Sequence, residues 1–150
     1  MRFLFASDSF KGSLSSEAII ELLTKAAKEH FPECETYGVP IADGGEGTLN
    51  AIVSAMKGNI VKVQVCGPYM EPIQSSYGTI CNQSAIIEMA AASGLPLVPV
   101  EKRNPLYTTT YGTRELIVAA LDKGYRQISI AIGGSATNDG GMGAMCALGV

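Results

Sequence analysis

Histidine is almost absent from this chain, and its scarcity excludes several kinds of site. The 150 residues include one histidine, His30, and four cysteines, none of which forms a C-x-x-C pair. Structural zinc requires clustered thiolates or imidazoles, so we expect no zinc site. A Ser-His-Asp triad is not expected either, because His30 falls near a helix end on an apolar face, where packing explains it. Isolated cysteines indicate reduced thiols and a cytoplasmic protein.

Charged residues and long apolar runs are also scarce. Charged residues make up 17% of the chain, the net charge is −3, and the 11 lysines and arginines are scattered. A protein that binds nucleic acid needs a basic patch, so nucleic acid is not an expected partner. The apolar run at residues 3–6 is shorter than a signal-peptide core, and no run approaches the roughly 20 residues that cross a bilayer. No membrane partner is therefore expected.

Glycine, by contrast, is abundant. It accounts for 17 of the 150 residues, which is about 11% against roughly 7% in average proteins. Apolar residues make up 47%, which is enough to bury one core and excludes an intrinsically disordered chain. The excess of glycine, together with few charged residues, indicates tight turns in which the backbone rather than the side chains has the functional role.

A strand–loop–helix plan is predicted three times along the chain. Residues 2–6, 36–41 and 127–132 are predicted strands, and each is followed by a polar or glycine-rich loop. After the first loop, apolar residues recur at helical spacing, with Ser15 or Ser16 as the N-cap. Such alternation indicates the α/β class with a doubly wound, mainly parallel sheet.

The middle of the chain has a different character. Residues 60–66 alternate apolar and polar side chains, as a half-exposed strand does, and residues 73–80 are predicted to return as an antiparallel partner. A helix is predicted at residues 113–123. We interpret this region as a second, mixed α/β domain inserted into the first. Residues 1–60 would then begin a discontinuous Rossmann- or flavodoxin-like domain, and residues 61–150 would be mostly the second domain.

The chain ends soon after its last glycine-rich loop. The helix that follows this loop has barely begun at Val150, so we expect residues 1–150 to be the N-terminal part of a longer protein. We also expect the isolated piece to be inactive and to aggregate or pair through apolar helix faces, because large exposed apolar patches are unusual in soluble monomers.

Three of the four aspartates follow predicted strands. They are Asp8, Asp43 and Asp139. In this class, the carboxyl ends of parallel strands lie at one edge of a sheet, where ligands bind, so we expect the three loops to converge there.

The loop at residues 133–141 has the composition of a phosphate-binding loop. Its glycines allow backbone N–H groups to converge on an anion, and serine, threonine and asparagine add neutral donors. Asp139 would hold Mg²⁺ through oxygen. The alternative is an ordinary strand-to-helix turn with Asp139 as the helix cap. The predicted phosphate-binding residues are Gly133, Gly134, Ser135, Ala136, Thr137 and Asn138.

Two further loops carry charged side chains. In the loop at residues 43–48, Asp43 and Glu46 suit recognising a hydroxyl, accepting its proton or sharing a metal ion, unless the loop is only a capped turn. In the N-terminal loop, Lys11 suits a phosphate or a substrate carboxylate, unless it forms a surface salt bridge with Asp8. Neither a Walker-type phosphate loop nor a complete G-x-G-x-x-G motif is present.

Five ordered segments of the chain resemble the bacterial type I glycerate kinases. They are DSFKGSLS (8–15), PIADGGEGT (40–48), EMAAASGL (88–95), TYGT (110–113) and GGSATNDGG (133–141). The resemblance implies ATP-dependent phosphorylation of D-glycerate with Mg²⁺, giving 2-phosphoglycerate rather than 3-phosphoglycerate. It also implies two α/β domains with the active site in the cleft between them.

On chemical grounds, each loop can be given a role in such a reaction. Backbone N–H groups of residues 133–138 would hold the ATP phosphates, and Lys11 would neutralise the transferring group or the glycerate carboxylate. Asp43, with Glu46 behind it, would orient the attacking hydroxyl and accept its proton. The predicted catalytic residues are Lys11, Asp43 and Glu46. The predicted substrate-binding residues are Asp8, Ser9, Lys11, Gly44 and Gly45.

Two alternative functions stay open at this point. One is a kinase that acts on another small metabolite, and the other is a non-catalytic domain that binds a phosphometabolite. In each case the expected partner is a small molecule, and the sequence also leaves a homodimer open.

Overall fold

The computed structural model describes residues 1–10, 12–81 and 83–149. The chain forms two compact units, Met1–Asp43 and Gly44–Val150. Within the described ranges, no helix is long and apolar enough to cross a membrane. The domain division expected at residue 60 stays a prediction.

The first unit is one strand–helix–strand motif. Strands β1 (Arg2–Ser7) and β2 (Glu35–Pro40) pair in parallel, and helix α1 (Ser16–His30) connects them. Ser15 is the N-cap of α1, because its side-chain oxygen accepts the amide of Ala18 at 3.2 Å. The predicted strands, helix and serine cap of this segment are therefore confirmed.

The second unit is built on a mixed four-stranded sheet. Its strands are β3 (Asn59–Cys66), β4 (Pro72–Ile80), β5 (Ser84–Glu88) and β6 (Gln127–Ala131), and they lie side by side in that order. Strand β4 runs antiparallel to β3 and to β5, whereas β6 runs parallel to β5. The antiparallel return predicted for residues 73–80 is confirmed. The α/β class is confirmed as well, with one parallel pair and one mixed sheet.

Helices cover both faces of this sheet. The α-helices of the unit are α2 (Thr48–Ala55), α3 (Ala90–Ser93), α4 (Tyr111–Asp122) and α5 (Met142–Leu148). Side chains alternate along a strand, so neighbouring residues of β5 face opposite sides of the sheet. Ile86 packs with Leu49 and Val53 of α2. Ile87 packs in the other cluster, with Leu116 of α4.

Close backbone packing fixes the start of α4. A Cβ atom on Gly112 would overlap the carbonyl oxygen of Cys66, at the end of β3, so this position requires glycine. The amide of Thr109 donates to the carbonyl of Pro68 at 2.9 Å. These contacts hold in place the three threonines at residues 108–110, which lead into α4.

Candidate functional site

Two glycine-rich loops lie against each other in the second unit. The amide of Gly133, just after β6, donates to the carbonyl of Gly44 at 2.7 Å. A Cβ atom on Gly133 would lie 2.7 Å from the amide nitrogen of Gly45 and 2.8 Å from its Cα. Backbone therefore packs on backbone, and a side chain at residue 133 would push the loops apart. The two loops are therefore in contact, although β2 and β6, the strands that precede them, belong to different sheets and not to one sheet edge as predicted. For Asp8 and Asp43, convergence stays a prediction.

The loop at residues 133–141 leaves several amides for a ligand. The chain reverses through glycines with positive φ, which is 73° at Gly134 and 61° at Gly140. In the described part of the chain, the amides of Gly134, Ser135, Asn138 and Gly140 donate to no protein acceptor. All four residues are exposed, so these amides are accessible to water or to an anion.

The loop at residues 133–141 is also held by hydrogen bonds to Ser93, Leu95 and Thr108. The amide of Leu95 donates to the carbonyl of Gly134, and the amide of Ala136 donates to the carbonyl of Ser93, both at 2.9 Å. The hydroxyl of Thr108 donates to the carbonyl of Ala136 at 2.7 Å. These bonds fix the loop backbone, so a ligand would meet a preorganised set of donors.

Asp139 lies near the end of the loop and accepts four hydrogen bonds. Thr110 donates to Oδ2 through its amide, at 2.9 Å, and through its hydroxyl, at 2.8 Å. Gly143 donates its amide to Oδ2 at 3.1 Å, and Gly141 donates to Oδ1 at 3.0 Å. Partial burial raises the pKa of Asp139, but these bonds lower it more, and the net pKa lies below its ordinary value. The ionised carboxylate therefore holds the start of α5.

Oδ1 of Asp139 retains room for a metal ion. It accepts one hydrogen bond, whereas Oδ2 accepts three. Mg²⁺ is commonly held by one or two carboxylates together with substrate phosphates. Among the residues that the structure describes, no three His, Cys, Asp or Glu side chains form a metal-binding group. The donors fit a magnesium ion that phosphates carry and Asp139 contacts, and they do not fit an all-protein metal cage.

Buried hydroxyl groups support the loop and its connection to α5. The hydroxyl oxygens of Ser93 and Thr113 lie 2.8 Å apart in a hydrogen bond, and both residues are buried. Thr110 Oγ1 also accepts the amide of Ala144 at 3.0 Å, which ties the start of α4 to α5. None of these three hydroxyl residues is predicted from the sequence to belong to the site, although all three fall in the segments 88–95 and 110–113 that carry the resemblance. For Thr110, the run of threonines just before the predicted helix is a further signal.

Glu88, at the end of β5, is another residue of this region with no predicted role. It is 6% exposed, and its Oε2 accepts the amide of Leu49 at 2.9 Å. Burial raises the pKa of Glu88 above its ordinary value, the charge of Glu46 raises it further, and the amides of Leu49, Gly47 and Thr48 offset part of the rise. Glu88 thus caps α2 and holds the turn that carries Glu46. An acidic residue that ends an apolar strand is the available signal.

The remaining predicted site residues occupy two places along the chain. Asp8 and Ser9 follow β1, and the amide of Ser9 donates to Oδ1 of Asp8 at 2.7 Å. Asp43 ends the first unit, and Lys11 lies outside the described residues. The residues that open the second unit are Gly44, Gly45 and Glu46. The catalytic and substrate-binding roles of all these residues stay predictions.

Two cavities share the loop residues Ser135, Thr137 and Asn138. One has a volume of about 370 Å³ and includes an apolar wall with Ile130. The other has a volume of about 340 Å³ and includes Arg103. Small-molecule sites commonly measure about 300–1,000 Å³, so each cavity is large enough for part of a ligand.

Comparisons with known proteins agree with the resemblance seen in the motifs. The model of the glycerate kinase family matches residues 3–150. A glycerate kinase from Bacillus subtilis (strain 168) is 52% identical over 150 residues, which are 99% of this chain and 39% of that protein. The glycerate 2-kinase of Escherichia coli (strain K12) is 49% identical over 150 residues, again 99% and 39% of the two chains.

A solved structure is similar over the same region. The crystal structure of a candidate glycerate kinase 2 from Salmonella typhimurium LT2 has a TM-score of 0.77 and 48% identity, over 99% of this chain and 40% of that one. The chain thus spans about two fifths of the length of the curated relatives it matches. The resemblance carried by the five motifs is confirmed.

Proposed function

We propose that this chain, which belongs to the glycerate kinase family, carries part of the active site of an ATP-dependent D-glycerate kinase. The observation that carries the proposal is the loop at residues 133–141, which packs on a second glycine-rich loop. Its exposed amides lack protein acceptors among the described residues. Phosphoryl transfer depends on positioning and charge neutralisation more than on covalent chemistry, and such a loop supplies both.

The ATP phosphates are bound, in this proposal, by residues 133–138. The main contacts come from the backbone N–H groups of Gly134, Ser135 and Asn138, because the amides of Gly133, Ala136 and Thr137 already donate to protein acceptors. The hydroxyl pair of Ser135 and Thr137 adds one further donor. These two hydroxyl oxygens lie 2.8 Å apart in a hydrogen bond, so they are already oriented. The bonds that Gly134 and Ala136 make to neighbouring segments keep the loop from rearranging when a ligand binds.

Asp139 is the proposed magnesium ligand of this chain. A bound Mg²⁺ would neutralise charge on the phosphates during transfer. Asp139 would contact it through Oδ1, because Oδ2 already accepts hydrogen bonds from Thr110 and Gly143. The same carboxylate keeps the start of α5 in place: Oδ2 is used by the fold alone, whereas Oδ1 accepts the amide of Gly141 and keeps a further lone pair for the metal ion.

The acceptor side of the reaction is assigned to the other loops. Asp43, with Glu46 behind it, orients the attacking hydroxyl and accepts its proton, and Lys11 neutralises the transferring group or the glycerate carboxylate. Further substrate contacts come from Asp8, Ser9, Gly44 and Gly45. The support for this assignment is the contact of Gly44 and Gly45 with Gly133, which places the turn before α2 next to the phosphate loop.

We also propose 2-phosphoglycerate as the product. A relative that is 49% identical is named glycerate 2-kinase, which supports this choice. For the whole protein we propose a cytoplasmic enzyme with a doubly wound, mainly parallel domain and an inserted mixed α/β domain. The parallel β1–β2 pair and the mixed sheet of the second unit fit such an arrangement.

The test is ADP release by the full-length protein with ATP, Mg²⁺ and D-glycerate, followed by enzymatic identification of the product. We expect D-glycerate to be preferred at least about tenfold over other hydroxy acids and sugars. A preference for another hydroxylated compound would indicate a different small-metabolite kinase. ATP binding without turnover of any hydroxy acid or sugar would indicate a non-catalytic domain that binds a phosphometabolite.

The variant Gly133→Ala connects activity to the loop. Its Cβ would lie 2.7 Å from the amide nitrogen of Gly45, so the loops must separate, and we expect kcat/KM for ATP to fall by about tenfold or more. Ser129→Ala, at an exposed position of β6, is the matched control and should retain wild-type kinetics. Unchanged kinetics in Gly133→Ala would contradict the assignment of the ATP phosphates to this loop.

A further inference from the structure

The cavity of about 340 Å³ beside the phosphate loop has a lining with one sign of charge. Its wall combines Ser135, Ala136, Thr137 and Asn138 with Leu95, Val98, Arg103, Asn104 and Pro105. Arg103 is the sole charged side chain among the described residues of this wall. Its positive charge is therefore not compensated by a carboxylate within the cavity.

The guanidinium of Arg103 is anchored at one edge and open at the other. Its Nε donates to the carbonyl of Val98 at 3.3 Å, and Val98 is 2% exposed, so the anchor is a buried residue. Over the described residues, the terminal amino groups of Arg103 have no hydrogen-bond or ion-pair partner. Arg103 is exposed, so these amino groups are accessible to a ligand in the cavity.

Neutral donors accompany this cation. Oδ1 of Asn104 accepts the amide of Leu106 at 3.0 Å, which leaves the side-chain NH₂ of Asn104 as a donor. Ser135 and Asn138 also line the cavity, and their amides lack a protein acceptor in the described chain. A concave wall with one cation, several N–H donors and no carboxylate selects an anion.

We infer that Arg103 binds an anionic oxygen group of a reactant at the edge of the phosphate loop. A planar guanidinium recognises phosphate and carboxylate alike through paired N–H bonds, so the group is a phosphate of the nucleotide or the carboxylate of the acceptor. The inference rests on the proposed kinase function. It adds a fixed positive charge to a loop whose other donors are neutral.

The experiment measures ligand binding to the full-length protein by calorimetry, with inorganic phosphate, ADP and D-glycerate titrated separately. Arg103→Gln should weaken the binding of at least one of these ligands by about tenfold or more. Arg103→Lys keeps the charge and loses the Nε anchor, so its affinity for the ligand should lie between those of Arg103→Gln and the wild type. The matched control is Arg126→Gln, because Arg126 donates to the carbonyls of Leu121 and Tyr125, outside the cavity.

The pattern of losses identifies the bound group. A loss confined to ADP and phosphate assigns Arg103 to the nucleotide, and a loss confined to D-glycerate assigns it to the acceptor carboxylate. Wild-type affinity for all three ligands in Arg103→Gln, within about twofold, would overturn the inference. Arg103-dependent ADP binding in a protein that phosphorylates no hydroxy acid would refute the proposed function and leave the anion site standing.

Discussion

Replacing Asp139 tests how one carboxylate organises the loop at residues 133–141 and α5. Asp139→Ala removes the acceptor of four hydrogen bonds, which come from Thr110, Gly141 and Gly143. The N-cap residue of α5 is Gly141, and Asp139 acts on the helix start through the amides of Gly141 and Gly143. A hydrogen bond to a charged group contributes about 1.5–3 kcal/mol. Asp139 is only partly buried, so water replaces part of what is lost. We expect α5 to lose about 2 kcal/mol of local stability, which is roughly a 30-fold faster amide exchange.

Asp139→Asn is the more selective variant, because it keeps the shape of the side chain and one carbonyl oxygen. That oxygen can replace Oδ1 or Oδ2, and the new NH₂ group then faces an N–H donor of Gly141, or those of Thr110 and Gly143. We expect a loss of about 1–2 kcal/mol. Asp122→Asn, at the exposed end of α4, is the matched control and should change little.

The assay is hydrogen exchange with mass spectrometry on the full-length protein, which compares peptides covering α5 with peptides covering β1. Acid provides a second check. The folded-state pKa of Asp139 lies below its ordinary value of 3.8, so its stabilisation is present above that value and is lost as pH falls through the folded-state pKa. Wild-type protection of α5 should therefore weaken in acid, and Asp139→Asn should lack this dependence. Wild-type protection of α5 in both variants would refute the reasoning.

Two further predictions concern Glu88 and Thr110. Burial raises the pKa of Glu88 above its ordinary value of 4.5, so the associated stability is present below 4.5 and is lost as pH rises through the folded-state pKa. In Glu88→Gln, the thermal unfolding temperature should not show this fall with rising pH. A pH profile parallel to that of the wild type would contradict the prediction. Thr110→Val deletes the hydroxyl that bonds Asp139 and Ala144, and should destabilise α5 by about 1–2 kcal/mol in the exchange assay. Thr110→Ser should restore wild-type protection.

Local patterns in the sequence were sufficient to predict most of the elements. The apolar spacing after Ser15 predicts a helix, and α1 begins at Ser16 with that serine as its cap. The alternation at residues 60–66 and the turn signals after it predict an antiparallel pair, which β3 and β4 form. These features depend on neighbours within one helical turn or one hairpin, which a sequence displays directly.

Partners that are distant in the chain could not be predicted in this way. Glu88 accepts an amide from Leu49, which is 39 residues earlier, and Thr110 bonds Asp139 across 29 residues. Strand order is equally hidden, because the periodicity of residues 127–132 indicates a strand without saying that β5 is its neighbour. Such pairings depend on which faces are buried together in the folded chain, and no local pattern records them.

The position of Asp139 also raises an electrostatic question, because a carboxylate would repel a phosphate bound at the proposed site. Two separate sets of hydrogen-bond donors reduce this repulsion. One set, from Thr110, Gly141 and Gly143, is directed at Asp139, and these bonds disperse its negative charge. The amides that lack protein acceptors in the described chain are different groups, at Gly134, Ser135, Asn138 and Gly140. The helix-cap and metal-ligand interpretations of Asp139 are therefore compatible, since Oδ2 is saturated by the fold while Oδ1 retains a lone pair for the proposed magnesium ion.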